Sequence, residues 1–549
     1  MKKCLSKGQI ELKAKKVFNK KFDFIKELKQ EFPKTEIFLV GGAVRDLILS
    51  RQTKDYDFVI RKINVNDLEK FLANHGSVNL VGQQFGVFKF VPENGDERDP
   101  FDLALPRKDF SLETGGYRDV EIQTNPNLPI EQDLSRRDFT INAIAIEISI
   151  KNGHVSIGKD KSASWRTKME KSKIHELGYK LIDPFNGCQD LKKKLICAVG
   201  KPEDRFREDY SRMLRGVRLA CQLDFKIEEK TWQALRDQMK FINKIDRRVE
   251  TVSRGQIVES KMIEKRVVPY EVIAKEFLKA FVGNPVRAFD LYDQSGAFEG
   301  LIPEILAMKG CPQPPNYHTE GDVWQHTRLA LEKLQSKSFK KYFGDESISN
   351  ELLIATLFHD IGKPPTLQTP EKDGTDRIRF NEHDVTGARM AREIGQRLKL
   401  SSPDKIGLDT EKMAWLVKEH MVLIRGDISQ MKPSTIEKYF FNPIFSGEDL
   451  LKISFADISA TITKNGPLSF DKFDQMTKRI KELKGLGKNK KELPKPLLSG
   501  NDIIKRFRIK PSPQIGELLR ILREEQLSGG IETKEQGFSF LEKYLQNRK

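Results

Sequence analysis

Along residues 1 to about 150, short apolar runs alternate with stretches of helical periodicity. Ile37-Phe38-Leu39-Val40, Phe58-Val59-Ile60, Val87-Phe88-Lys89-Phe90-Val91 and Ile141 to Ile148 have the length and side chains of strands. From about 180 to 306 the apolar positions recur at helical spacing, as in Met213, Val217 and Cys221, with Asn284-Pro285 and Ile302-Pro303 as breakers. Residues 151 to 178, between these regions, are polar and Lys-rich and predict a surface excursion. Cys311-Pro312-Gln313-Pro314-Pro315 predicts a linker, after which helical periodicity runs to about 480. A basic segment broken by Gly and Pro, 484 to 497, precedes a helical tail. The pattern predicts a multidomain α+β chain: a mixed-sheet unit over 1–150, helical units over 179–306 and 316–483, and a tail over 497–549. No fixed-period repeat is visible, which argues against a solenoid.

Composition sharpens this picture. A length of 549 residues accommodates three or four domains, each with a core of its own. Lys and Arg number 96 against 79 Asp and Glu, a net charge of +17, the electrostatic footprint of a nucleic-acid partner. Five scattered Cys with no CxxC pair fit reduced thiols in a cytosol rather than a disulfide framework or a zinc knuckle. The basic start lacks an apolar h-region and no uncharged run approaches 18 residues, so neither export nor a membrane span is expected. The expected location is cytoplasmic.

Two local patterns carry chemistry in the amino-terminal unit. The first strand runs into Gly41-Gly42 and then a helix, a turn that lets backbone approach a phosphate. A dozen residues on, Asp55-Tyr56-Asp57 would present two carboxylates on one side of a strand, a hard oxygen pair for Mg²⁺. Phosphate cradle and metal pair are the minimal kit for phosphoryl or nucleotidyl transfer. Asp102 is the candidate third carboxylate, on a neighbouring strand or in a loop.

Five strings occur in order: Gly41-Gly42-Ala43-Val44-Arg45-Asp46, Asp55-Tyr56-Asp57, Arg136-Arg137-Asp138-Phe139-Thr140-Ile141-Asn142-Ala143, Asp183-Pro184-Phe185-Asn186-Gly187 and Glu208-Asp209-Tyr210-Ser211-Arg212. Together they closely resemble the class II tRNA nucleotidyltransferases, or CCA-adding enzymes, and the related bacterial poly(A) polymerases. The resemblance implies a polymerase-β-like head with Mg²⁺ at Asp55 and Asp57. It implies Arg45, Arg136, Arg137, Asp138 and Asn142 around sugar and triphosphate, where guanidinium suits phosphate and carboxylate suits a 2′-hydroxyl. Asp209 and Arg212, at i and i+3, would accept from an exocyclic amine and donate to the adjacent ring nitrogen. Adenine and cytosine share that pattern, so ATP and CTP would be selected without a template. The same helix carries Arg215 and Arg218 into the nucleotide set. The family's Glu-Arg-Ile run on the following helix is matched to Ser253 to Glu259, where Gly255-Gln256 would replace Glu-Arg.

Of 8 His, five lie between 318 and 420. His326, His359-Asp360 and Asp457 form the ordered series of the HD-domain phosphohydrolases, with Glu320 to Thr327 and Phe358 to Lys363 as supporting strings. The resemblance implies an all-helical fold holding Mg²⁺ or a divalent transition metal, with Lys363 for a phosphate and His383 and His420 for a second metal position. It runs over residues 35 to 545, including Leu497-Leu498-Ser499-Gly500-Asn501-Asp502-Ile503 in the tail. The basic run over 471–497 reads as a solvated linker. The expected activity is CCA addition to tRNA. Addition of A alone, polyadenylation, or an HD phosphodiesterase with an RNA-binding head are the rival readings.

Overall fold

The computed structural model describes residues 22–547 except 54, 81–86, 94–99, 112–113, 117–119, 152–153, 158–179, 255–256, 346, 426 and 487–492. Gly255-Gln256 and most of the 151–178 stretch therefore lie outside the described residues. The chain divides into two compact units. One holds the described residues up to Asn284 with Asp290–Leu301, the other Pro285–Phe289 and the described residues from Ile302 onward.

The apolar runs of the first unit build one sheet. Its centre is β1 (Glu36–Val40), antiparallel to β2 (Asp57–Arg61) on one side and to β8 (Ala145–Lys151) on the other. Next to β2, β5 (Phe101–Ala104) runs parallel, and β4 (Val87–Pro92) and β3 (Gly76–Leu80) continue antiparallel beyond it. The short β9 (His154–Ile157) and β10 (Lys180–Ile182) pair with β8, and a separate hairpin joins β6 (Arg107–Ser111) to β7 (Val120–Thr124). Strands β1 and β2 are covered on both faces, which is why they read as unbroken apolar runs. Phe38, Val40 and Val59 pack against Ile130, Leu134 and Val199. On the opposite face Phe58 and Phe101 meet Phe22 and Phe24 in a ring cluster with Phe22–Phe101 and Phe24–Phe101 centroids 5.1 and 5.4 Å apart.

The strand expected from Ile141 begins only at Ala145. Thr140–Asn142 is a 3-10 turn whose Thr140 N–H donates to Cys197 O, so a later segment claims this backbone before it can join the sheet. Helices Pro202–Glu208, Ser211–Leu223, Glu229–Gln238 and Tyr270–Gly283 follow, and Met213, Val217 and Cys221 are buried as their spacing predicted. The body is not helical throughout. Ile245–Arg254 and Ile257–Arg266 form a long antiparallel hairpin with Ile245 opposite Arg266 and Arg254 opposite Ile257. Its Val, Thr and Ile content suits strands, so the match of Ser253 to Glu259 with a helical motif is corrected.

In the second unit five helices, Val323–Lys333, Asn350–Phe358, His383–Arg397, Thr410–Glu419 and Gly447–Ala460, surround one buried point. Leu352 to Phe358 are all buried, which makes Asn350–Phe358 the central helix. Gly362, just past its end, lies so close to His383–Arg397 that a Cβ would stand 2.0 Å from His383 O. Cys311-Pro312-Gln313-Pro314-Pro315 is no free linker, since Cys311 and Gln313 are buried and Val323 N–H donates to Cys311 O. The basic run after 471 is likewise folded, as helix Asp471–Gly485 burying Phe473, Met476, Ile480 and Leu483. Helices Gly500–Phe507, Pro513–Leu527 and Lys534–Gln546 pack around Leu498, Ile503, Leu518, Leu522 and Leu541. No helix of the described residues is long and apolar enough to cross a membrane.

Candidate active sites

The first site forms where β1 ends. Val40 is the register partner of Asp57, so the next residue, Gly41, turns directly beside that carboxylate. Gly41 has φ +73°, and a Cβ there would lie 2.9 Å from Arg137 Nη1 and 3.2 Å from Asp57 Oδ2, so any side chain would be strained and would displace both groups. Helix Gly42–Ile48 starts at once and sends Arg45 Nη1 to Asn142 Oδ1 at 2.8 Å. Asp57 opens β2 and Asp55 stands just before it, so the pair flanks a strand start rather than sharing one strand. Asp102 on β5 is the register partner of Asp57, the neighbouring-strand carboxylate that was expected, and Lys89 Nζ lies 3.5 Å from its Oδ1. Burial pushes the Asp57 carboxyl up; Arg137 opposes this, while Asp102 and Asp55 push the same way. A divalent cation relieves such a concentration of hard, like-charged oxygens, so these residues fit Mg²⁺.

Arg136 to Asn142 supply the adjoining wall. Asp138 accepts from the Phe139 N–H at 2.7 Å, from Asn142 Nδ2 at 3.1 Å and from Arg215 Nη1 at 3.1 Å. Burial works against its charge, yet Arg215 and the Asn142 amide hold the carboxyl down at about 2. Arg136 and Arg137 are tied to Asp133, a fully buried carboxylate outside the expected set.

Asp209 lies in the break between helices Pro202–Glu208 and Ser211–Leu223, not inside a helix. Its Oδ1 accepts from the Ser211 N–H and Oγ, at 2.9 and 2.6 Å, while its Oδ2 is 3.8 Å from Arg212 Nε. Arg212 Nη1 is held by Glu208 at 2.6 Å and by Arg205 O at 3.1 Å, so Glu208 aims the guanidinium. Arg218 Nε donates to Glu276 on helix Tyr270–Gly283, which packs against Ser211–Leu223 and carries Glu271-Val272-Ile273. A Glu-x-Ile run thus stands on the packed helix, with Val272 between Glu and Ile. All the expected head residues except Asp102 line one cavity of about 630 Å³, together with Arg205, Glu208, Lys275, Glu276 and Lys279. Glu208 belongs to the string Glu208-Asp209-Tyr210-Ser211-Arg212, whereas Asp133, Lys275 and Lys279 carry no local signal.

The second site is the buried point of the other unit. His326 Nε2 lies 3.0 Å from Asp457 Oδ1 and 3.8 Å from Asp360 Oδ2, and His359 Nε2 is 3.3 Å from Asp360 Oδ2. On the far side, His383 Nε2 and His420 Nε2 stand 3.7 and 3.8 Å from Asp360 Oδ1. The Nδ1 atoms of His359, His383 and His420 each contact a backbone carbonyl, of Thr356, Phe380 and Val417, which leaves their Nε2 lone pairs turned inward. Those three Nε2 atoms are buried without a hydrogen-bond partner. Burial, with His359 and His383 close by, pushes the His420 imidazole down to about 4, the neutral form that coordinates. Imidazoles gathered around a shared carboxylate fit divalent metals in two positions, His326, His359 and Asp360 with the adjacent Asp457 in one, Asp360, His383 and His420 in the other.

Lys363 Nζ is engaged with Asp360 Oδ2 at 2.7 Å and Gln313 Oε1 at 2.9 Å, so it holds the Asp360 carboxylate at the wall of a cavity of about 950 Å³. Sequence reading missed Glu320 as a functional residue. Its Oε1 accepts from both His318 and His326, at 2.7 and 2.9 Å, and its Oε2 from the Ile462 N–H.

Residues 37–158 match the poly A polymerase head domain family and residues 322–452 the HD domain family. The chain is 32% identical to the multifunctional CCA protein of Paracidovorax citrulli over 372 residues, 66% of this chain and 70% of that protein. It is 27% identical to the A-adding tRNA nucleotidyltransferase of Deinococcus radiodurans over 514 residues, 92% of this chain and 95% of that one. In fold it resembles the CCA-adding enzyme of Bacillus stearothermophilus in complex with CTP, with a TM-score of 0.56 at 20% identity over 97% of this chain and 99% of that one. The Thermotoga maritima CCA-adding enzyme complexed with tRNA gives 0.54 at 17% identity, over 99% and 100%.

Proposed function

The chain belongs to the family of class II tRNA nucleotidyltransferases and related poly(A) polymerases, here with an HD domain, and from that premise we propose that it adds C, C and A to the 3′ end of tRNA from CTP and ATP. The observation that carries this reading is the single cavity joining the Gly41-Gly42 turn, the Asp55 and Asp57 carboxylates and the Asp209 and Arg212 pair. Asp55, Asp57 and Asp102 would hold Mg²⁺, which when bound neutralises the departing pyrophosphate and polarises the RNA 3′-hydroxyl. The protein's own part is positioning. Gly41, Gly42, Arg45 and Arg137 bear on the triphosphate, Asp138 and Asn142 on the ribose, and Arg212 and Asp209 on the base edge. Glu208 fixes the Arg212 guanidinium so that it donates while Asp209 Oδ2 accepts, which favours adenine and cytosine over guanine and uracil.

The same reading divides the labour along the chain: catalysis over 1–150, nucleotide selection and tRNA binding over 179–306, hydrolysis over 316–483 and a tail over 497–549. Binding of tRNA falls to basic surface that reads shape and phosphate, with steep salt dependence, in a cytoplasmic setting. In the HD unit, metals held by the five histidine and aspartate elements would supply Lewis-acid activation of a phosphoester. Lys363 keeps Asp360 ionised between the two positions.

The test is to supply tRNA ending before CCA, after C and after CC with CTP, ATP or both, and to sequence the 3′ ends. Clean CCA that stops supports the reading, and no addition overturns it. A second reading, addition of the terminal A alone, is favoured by the near full-length likeness to the Deinococcus radiodurans protein, and a lone A on CC-ended tRNA only would establish it.

A further inference from the structure

Eight arginines and two lysines line the first cavity against seven carboxylates among the described residues. The arginines are committed. Arg45 pairs with Asp46, Arg136 and Arg137 with Asp133, Arg205 and Arg212 with Glu208, Arg215 with Asp138 and Arg218 with Glu276, and Arg107 has a partner as well. Lys275 and Lys279 differ. They stand one turn apart on helix Tyr270–Gly283, so they share a face, and neither is ion-paired among the described residues. Lys275 is exposed and Lys279 half-buried, close to Arg218. This corner of the cavity is a positive field whose own carboxylate, Glu276, is already paired with Arg218.

Its place relative to the carboxylates decides what anion it takes. Gly41 turns against Arg137 and Asp57, whereas the two lysines stand on a different wall of the same cavity, helix Tyr270–Gly283, which Asp55 also lines. Attacking and leaving oxygens in nucleotidyl transfer lie in line on opposite sides of the reacting phosphorus. With the triphosphate on the Gly41 and Arg137 side, the strand bearing the 3′-hydroxyl enters from the other.

We infer that Lys275 and Lys279 form the subsite for the terminal phosphodiester of the incoming RNA, and that they position its 3′-hydroxyl beside Asp55. The inference rests on the nucleotidyltransferase reading above. Burial, together with Lys275 and Arg218, presses the Lys279 ammonium below its ordinary range, consistent with a cation awaiting a counter-charge. Glu276, between the two lysines, is spent on Arg218 and leaves them to the ligand.

The experiment uses the full chain with tRNA ending in CC and ATP, varying each substrate at saturating levels of the other. Lys275→Gln and Lys279→Gln should each raise the KM for RNA about three- to tenfold and flatten the log-log salt slope by about 1, with the KM for ATP unchanged. Lys→Arg at either position should restore the RNA value. An RNA carrying a neutral methylphosphonate at its last linkage should cost the wild type as much as the double lysine variant loses, and cost that variant nothing further. A rise in the KM for ATP alone, lysine variants indistinguishable from wild type, or an additive methylphosphonate effect overturns the subsite while leaving the parent reading intact. Wild-type protein that adds nothing to any tRNA overturns both.

Discussion

Asp57 and Asp102 are register partners on adjacent parallel strands, which sets the Asp102 carboxylate beside Asp57, a residue that lines the first cavity. The arrangement costs stability. Because burial and these neighbours raise the Asp57 carboxyl, the folded state binds its proton more tightly than the unfolded one does, and stability falls as pH rises through the ordinary carboxylate range. Asp57→Asn should therefore leave the melting temperature at pH 7 equal to or above wild type while lowering kcat/KM for nucleotide addition about a thousandfold or more, ~4 kcal/mol of transition-state stabilisation. Residual activity within tenfold of wild type would remove Asp57 from the chemistry. A large fall in melting temperature would make its role structural.

Gly41→Ala tests the turn itself. An alanine would have to adopt φ +73° at a cost of about 1–2 kcal/mol, and its Cβ would push on Arg137 and Asp57. Activity should fall about a hundredfold from misplaced groups, with a modest drop in thermal stability. Unaltered kinetics with CTP and ATP would show that this close approach does not matter.

Asp138 gives a pH signature of the opposite sign. Its carboxyl is held at about 2, below the ordinary 3.8, by Arg215 and Asn142, so the network contributes about 2 kcal/mol that is complete above pH 4 and is lost as pH falls toward 2. The melting temperature of Asp138→Asn should lie below wild type at pH 7, and the gap should narrow as pH is lowered from 5 to 3. A gap independent of pH would mean that packing, not charge, ties Asp138 to Arg215.

Base selection depends on an aimed guanidinium. Glu208→Gln keeps the size of the side chain but weakens the 2.6 Å contact that fixes Arg212, so GTP and UTP misincorporation relative to ATP and CTP should rise about tenfold, roughly the worth of one oriented hydrogen bond. Arg212→Ala should do at least as much. Discrimination unchanged in both variants would move base reading elsewhere in the cavity.

How much of this was legible in the sequence follows from the range of each interaction. The Gly41 turn, Asp57 and the Asp138 string are set by a strand end and its immediate neighbours, and their residue types announce themselves. So do the candidate metal-binding residues of the HD unit, because histidine is rare in the chain and clusters. Asp133 shows no local sign, since its meaning comes from packing a short helix, Ile130–Ser135, under Arg136 and Arg137. Lys275 and Lys279 look like surface lysines until helix Tyr270–Gly283 packs on Ser211–Leu223. The hairpin over Ile245–Arg266 departs from the helical expectation because short apolar runs among charges fit helix and strand alike, and pairing across ten residues decides between them.

The HD unit offers a prediction in which each residue has its own metal stoichiometry. Asp360 is shared, with Oδ2 toward His326 and His359 and Oδ1 toward His383 and His420, so its loss should empty both positions. His383→Ala or His420→Ala should release one. Measured by elemental analysis after dialysis against Mn²⁺, the wild type should retain two equivalents from this unit, the histidine variants one and Asp360→Asn none, with chelator lowering the melting temperature only where metal was retained. Glu320 adds a finer step. It touches no expected metal position, yet its Oε1 fixes His326 by its Nδ1, and loss of such an outer partner typically weakens metal binding about 10–100-fold. Glu320→Gln should therefore shift the affinity of the His326 position while sparing the one at His383 and His420. Equal weakening of both would mean that Glu320 supports the fold through Ile462 rather than the ligand, and no weakening would mean that His326 needs no orienting partner.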